Sequence, residues 1–246
     1  MSLLKNLTTD DSIQEEEDRL GGGGPLESGT YDAKVNMAYV SESAGGAMCL
    51  NTVFDIEGRE LRHRFWITSG KAKGQKNYYE NAKGEKRYLP GYNMANSLCL
   101  LTVGNEISEM DTENKMIKLW NREAQKEVPT EVPVVTGLIG QEITLGLIRQ
   151  TVDRVAKADD GSYVPTGETR EENEIDKFFR AKDKLTTAEI RGQIEEPGFF
   201  NAWKNKWDGQ TRDKSTQNSG STSSKVSGAL SGTNRSSSKP TESLFK

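Results

Sequence analysis

Arg62, Arg64 and Trp66 stand at alternate positions, so in an extended strand all three point to one side. Downstream follow Lys71, Lys73, Lys76, Tyr78, Tyr79, Lys83, Lys86, Arg87, Tyr88 and Tyr92. A single-stranded nucleic acid needs this mixture. Cations track its phosphates, and aromatic rings stack on its bases at about 1–3 kcal/mol each with little regard to sequence. A duplex hides its base faces and gains little from tyrosines on a basic loop. The plainer reading is a solvated loop whose tyrosines pack back on the body. An outward Trp beside two arginines is unexpected on a passive face, and it favours binding.

Charge segregation points the same way. The chain holds 33 Lys+Arg against 37 Asp+Glu, a formal net charge of -4. Residues 59–92 alone carry nine Arg/Lys against three Glu, whereas residues 1–30 carry two against seven and 93–203 thirteen against twenty. The last 43 residues, 204–246, are basic again, eight against three. Fields act within a Debye length of about 8–10 Å, so the local excess matters more than the total.

Catalytic constellations are not found. His63 is the single histidine, histidine being the commonest general acid–base group, and it shares the apolar side of its strand with Leu61, Phe65 and Ile67. It reads as a core residue. Cys49 and Cys99 sit in the apolar contexts AMCLN and SLCLL and are expected as buried free thiols. Together with one histidine they cannot supply the four ligands of a structural zinc site. The glycines at 21–24 lack a following Gly-Lys-Ser/Thr, and Ser69-Gly70-Lys71 continues with Ala72, so neither makes a phosphate-binding loop. Glu106, Glu109, Asp111 and Glu113 have no flanking strand pattern and read as a solvated loop; Glu195-Glu196 reads as a charged helix end. No catalytic residue, metal or cofactor is expected, and the chain is read as a non-enzyme.

The elements that must position the basic strand follow from periodicity. Within residues 30–40, Tyr31, Ala33, Val35, Met37 and Tyr39 alternate with polar positions, the pattern of a half-buried strand. Gly45-Gly46 turns the chain; Met48, Leu50, Phe54 and Ile56 repeat the alternation, and Glu57-Gly58 turns it again. In the third strand, residues 61–68, Leu61, His63, Phe65 and Ile67 oppose Arg62, Arg64, Trp66 and Thr68. Residues 69–92 read as a long insertion. Met94, Leu98 and Leu101 then predict a helix over 92–103, and strand character returns over 132–155. Residues 168–180 are ambiguous between helix and strand. Thr186 and Glu189 have capping-box spacing, and Pro197-Gly198 interrupts before a helix over 199–207. Several strands with a helix after the third predict a mainly β fold, an OB-like, partly open β-barrel with added helices and disordered termini.

Three regions result. Residues 1–27 form an acidic segment with a Gly-rich hinge, in which Ser12 and Glu15 can cap a short helix. Residues 28–207 form the OB-like domain with its C-terminal helix. Residues 208–246 form a Ser-rich basic tail, with 22 of 39 residues being Ser, Thr, Gly or Asn, too polar to offset the entropy of ordering. The tail ends in Leu244, Phe245 and Lys246, a candidate docking motif for a protein partner. Phe199, Phe200, Trp203 and Trp207 form an aromatic helical stripe, either packing on the barrel or contacting a partner. No apolar run approaches the roughly 20 residues of a membrane span, and the first residues lack the order of a secretory signal. A cytoplasmic protein without membrane partners is expected.

Glu27-Ser28-Gly29-Thr30-Tyr31 at a strand start, the aromatic-basic third strand, and Leu138-Ile139-Gly140-Gln141-Glu142-Ile143 entering a late strand, with a polar tail, resemble bacteriophage single-stranded DNA-binding proteins of the OB-fold type. The likeness spans about residues 28–180. It implies non-catalytic, largely sequence-independent coating of single strands in phage DNA replication, recombination and repair, within the host cell cytoplasm. Many such proteins end in an acidic tail with a terminal Phe. Here the tail is basic and Phe245 precedes Lys246, so it is expected to add DNA affinity or to dock phage or host replication, recombination or transcription proteins. An RNA-binding variant stays open, since nothing identifies a contact to a 2′-hydroxyl. The competing reading is a protein-binding adaptor or virion-associated protein that uses the tail and the aromatic helix.

Overall fold

In the computed structural model, which describes residues 24–121, 124–158 and 162–216, an antiparallel meander opens the fold: β1 (Gly29–Glu42), β2 (Met48–Ile56) and β3 (Arg59–Trp66). The β2–β3 turn is Glu57-Gly58, both with positive φ (52° and 84°), the twist that a two-residue hairpin favours. Leu50, Phe54 and Ile56 of β2 are buried, as their alternation predicts. In β3 the exposed Arg62, Arg64 and Trp66 alternate with the buried or half-buried Leu61, His63 and Phe65.

β1 corrects the straight alternation read from the sequence. Ala33 and Val35 face the core, but the register slips between Val35 and Met37. Asn36 is the extra residue of a β-bulge. Beyond it Ala38 is fully buried and Val40 packs on the core. Met37 and Tyr39, expected inward, turn to the outer side.

The segment after β3 is built rather than loose. A 3-10 turn covers Lys71–Lys73, and β4 (Tyr78–Glu80) pairs with β5 (Lys86–Tyr88). The predicted helix is α1 (Pro90–Thr102), with Pro at its first position, where the missing N–H costs nothing. Ala95, Leu98, Cys99 and Leu101 are its buried residues, and it packs against β3 and against β8 (Glu142–Lys157) and β9 (Tyr163–Arg180).

The acidic stretch read as a solvated loop is a second correction. Glu106 and Glu109 close a capping box on a single 3-10 turn, and Glu113 opens a hairpin of β6 (Glu113–Asn121) with β7 (Lys126–Val134). The ambiguous residues 168–180 are strand throughout.

β8 pairs with β1 through its first half and with β9 along nearly its whole length. The resulting order β3-β2-β1-β8-β9, with α1 between β3 and β8, is that of an OB-like barrel. It stays open: among the described residues no pairing joins β3 to β9. Phe65 and Phe178 bridge that gap edge to face, 5.8 Å between ring centres.

The capping box of Thr186 and Glu189 opens α2 (Thr187–Arg191) as predicted. In α3 (Gly198–Trp207), Trp203 is buried with Ile148 and Phe179 on the outer side of β8 and β9, and its Nε1 donates to Asp176 Oδ2 at 2.8 Å. Phe200 and Trp207 are partly buried in the same cluster, so these three residues of the aromatic stripe pack, while Phe199 is exposed.

The folded part overruns both expected boundaries. Leu26 and Asn173 exchange hydrogen bonds of 2.7 and 2.8 Å. Past residue 207, β10 (Thr211–Asp213) runs parallel to β8, with Arg212 donating to Gln150 Oε1 at 2.7 Å and lying over the Trp207 ring. The Ser12/Glu15 capping box and the Leu244-Phe245-Lys246 motif lie outside the described residues. No helix among the described residues is long and apolar enough to cross a membrane.

Candidate nucleic-acid interface

Pairing across the meander sets the geometry, because opposed residues share a side of the sheet. Three outer rows result: Met37–Val53–Arg62, Tyr39–Asn51–Arg64 and Ser41–Cys49–Trp66. Asn51 knits them, its Nδ2 donating to Ser41 Oγ at 2.8 Å and to the Tyr39 carbonyl at 3.3 Å. Burial raises the Tyr39 hydroxyl pKa while Arg64 and Arg62 pull it down, so both guanidiniums act on that ring's oxygen. Trp66 is 46% exposed. Arg62 pairs with Glu60 at 3.1 Å, but both side chains are more than half exposed, and such pairs are worth little. Sequence reasoning missed Tyr39 and Met37 here, because the bulge that turns them outward leaves no mark in the alternation.

A second group grows from the start of α1. Gly91 packs on the Trp66 backbone, so closely that an added Cβ would lie 2.7 Å from the Trp66 nitrogen. The next residue, Tyr92, stacks on Tyr88 at 4.8 Å with the planes 27° apart. Tyr88 is the cross-strand partner of Tyr78, whose ring has the ammoniums of Lys76 and Lys86 over it at 5.5 and 5.2 Å. Three rings, Tyr92, Tyr88 and Tyr78, therefore run in series to a pair of lysines. Burial, with Tyr88 and Glu106 adding, keeps the Tyr92 hydroxyl protonated to higher pH than usual.

The other candidate residues divide. Tyr79 and Arg87 oppose each other on the far side of the β4–β5 hairpin, away from Tyr78 and Tyr88, and Arg87 is held by Glu85 at 3.1 Å. Lys71 is a clamp: its ammonium meets Glu42 at 2.9 Å, its N–H donates to the Gly45 carbonyl at 2.8 Å, and its methylenes occupy the space a side chain at Gly46 would need. Gln75 reinforces it, donating to the Gly46 carbonyl at 2.7 Å. Lys73 and Lys83 are exposed, and among the described residues neither has a carboxylate within ion-pair distance. Lys83 sits in the turn of the hairpin, its N–H donating to Asn81 Oδ1 at 2.9 Å.

Groups read as inert in the sequence are buried or half-buried. Cys49 and Cys99 are free thiols, and burial pushes Cys99 up to about 12. His63 lies 4.6 Å from the Phe65 ring, and burial lowers its pKa to about 4, with Glu172 opposing. It is neutral at pH 7. Among the described residues no three His, Cys, Asp or Glu gather as a metal site. No protein-family profile matches the chain, and no curated protein sequence does either.

Proposed function

We propose that this chain binds single-stranded DNA without catalysis and largely regardless of sequence, coating transient single strands in the replication, recombination and repair of a phage genome in the host cell cytoplasm. The observation that supports it most is the one-sided placement of Arg62, Arg64 and Trp66 on β3. The stacked Tyr88–Tyr92 pair and the lysine-flanked Tyr78 extend the same chemistry from the start of α1. Guanidiniums and ammoniums take the phosphates, while Trp66 and the exposed face of Tyr88 take bases that a duplex would hide. Burial of Trp203 against β8 and β9 gives the aromatic helix a packing role, which weakens the adaptor reading, although Phe199 stays 43% exposed.

The test is fluorescence anisotropy of labelled oligo-dT, a duplex of equal length and oligo-rU, titrated with protein across a salt series. Tight binding to oligo-dT, weak binding to duplex and a log K that falls linearly with log salt support the proposal. No binding to oligo-dT at low salt overturns it. Equal affinity for oligo-rU widens the substrate to single-stranded nucleic acid in general.

A further inference from the structure

We infer that the side of the β6–β7 hairpin bearing Lys115, Ile117, Leu119 and Val128 carries the same single strand onward from β3. This rests on the proposed single-strand binding and enlarges its surface. The outer row of Arg64, Asn51 and Tyr39 does not stop at β1. Tyr39 opposes Val134 of β7, and Val134 opposes Glu113 of β6, so one row crosses five strands. Side chains alternate along a strand. The pairs Lys115–Val132, Ile117–Thr130, Leu119–Val128 and Asn121–Lys126 therefore lie on the Arg64 side. Val134 and Val132 are buried where the hairpin leaves β1, Ile117, Leu119 and Val128 are half-buried further out, and Lys115 and Lys126 are exposed.

The opposite side carries Met116, Lys118 and Trp120 against Glu131, Pro129 and Glu127. Met116 and Trp120 are 64% and 59% exposed and look the more inviting. Yet Lys118 is outnumbered there by two carboxylates that repel phosphate, and the register turns the whole side away from Arg64. On the Arg64 side two lysines meet one carboxylate, Glu113, which Lys115 holds at 3.1 Å. Register and charge select the same side, and an occupant with anionic links and apolar faces fits lysines interleaved with aliphatic side chains.

Two double substitutions separate the sides: the charge reversals Lys115→Glu with Lys126→Glu, and Lys118→Glu with the truncation Trp120→Ala. Each is titrated against a short oligo-dT of about 8 nucleotides and a long one of about 30, with the occluded site measured on poly-dT; such folds cover roughly 4–16 nucleotides. The first pair is expected to weaken the long oligonucleotide about tenfold and to shorten the occluded site by several nucleotides, with the short one held as in the unaltered protein. The second pair is expected to change neither. Equal behaviour of the first pair and the unaltered protein, or equal losses with both pairs, overturns the inference while leaving the binding function intact. Failure of the unaltered protein to bind either length overturns the function itself. Thermal melts confirm folding, and Lys115→Gln with Lys126→Gln replaces any unstable variant.

Discussion

Gly91 lies against the backbone of Trp66, and a methyl group on it would sit 2.7 Å from the Trp66 nitrogen and closer still to the carbonyl oxygen. The first turn of α1 is thereby pinned to the end of the strand that presents the arginines. Neither partner can yield easily, since both are main chain. Gly91→Ala is expected to cost about 1–3 kcal/mol by overpacking, read by urea denaturation. It should also weaken oligo-dT, because Tyr92 moves with the helix start.

Trp66 and Trp203 make a contrasting pair. Trp66 is half exposed, so Trp66→Ala should weaken oligo-dT by about 1–3 kcal/mol, the value of one stacked base, and leave the melting temperature nearly unchanged. Trp203 is buried and hydrogen-bonded to Asp176. Trp203→Ala should destabilise the fold by about 3–5 kcal/mol, with affinity unaltered where the protein remains folded. A binding loss with Trp203→Ala equal to that with Trp66→Ala would contradict this assignment.

Lysines that look equivalent in the sequence should separate in a salt titration. Lys73→Ala with Lys83→Ala removes two exposed cations, and the slope of log K against log salt should flatten by about 1.4, at about 0.7 per phosphate contact on a single strand. Lys71→Ala should flatten it little and instead loosen the turn at Gly45-Gly46. Hydrogen exchange of the Lys71 and Gly46 amides reads that loosening directly.

His63 makes stability depend on pH. Its pKa is about 4 in the folded protein and about 6.5 in an unfolded chain. Above pH 6.5 it is neutral in both states and contributes no pH dependence. As pH falls from 6.5 towards 4 the unfolded chain takes the proton and the folded one does not, so stability drops, by about 3 kcal/mol in all. Urea unfolding at pH 7 and 4.5 should show this difference shrinking in His63→Leu, once the carboxylate contribution common to both proteins is subtracted.

Much of this was legible in the sequence. Leu50, Phe54, Ile56 and the two sides of β3 follow the period of two, and the capping box at Thr186 and Glu189 marks α2. The β6–β7 hairpin was not legible, because in β6 Met116 and Trp120 stand on one side and Ile117 and Leu119 on the other, which blurs the alternation, and Pro129 and Pro133 in β7 argue against a strand. The division of the tyrosines was also hidden. Tyr78 and Tyr79 are neighbours in the chain, and only their pairing with Tyr88 and Arg87 puts them on opposite sides. Asn36 was invisible for a simpler reason: apolar residues stand on both sides of β1 beyond it, so an alternating pattern can be drawn straight through.

That residue acts on β1 as an inserted letter acts on a reading frame. Counting by twos along the sequence puts everything after it on the wrong side, whereas removing Asn36 would let Met37 follow Val35 directly in the ladder, with Met37 and Tyr39 still outward and Ala38 and Val40 still inward. The outer row through Tyr39 to β7 would keep its aromatic, and every strand would keep its partner. Asn36 therefore hides the frame of β1 from the sequence without deciding the side on which Tyr39 stands, which the pairing with β2 decides.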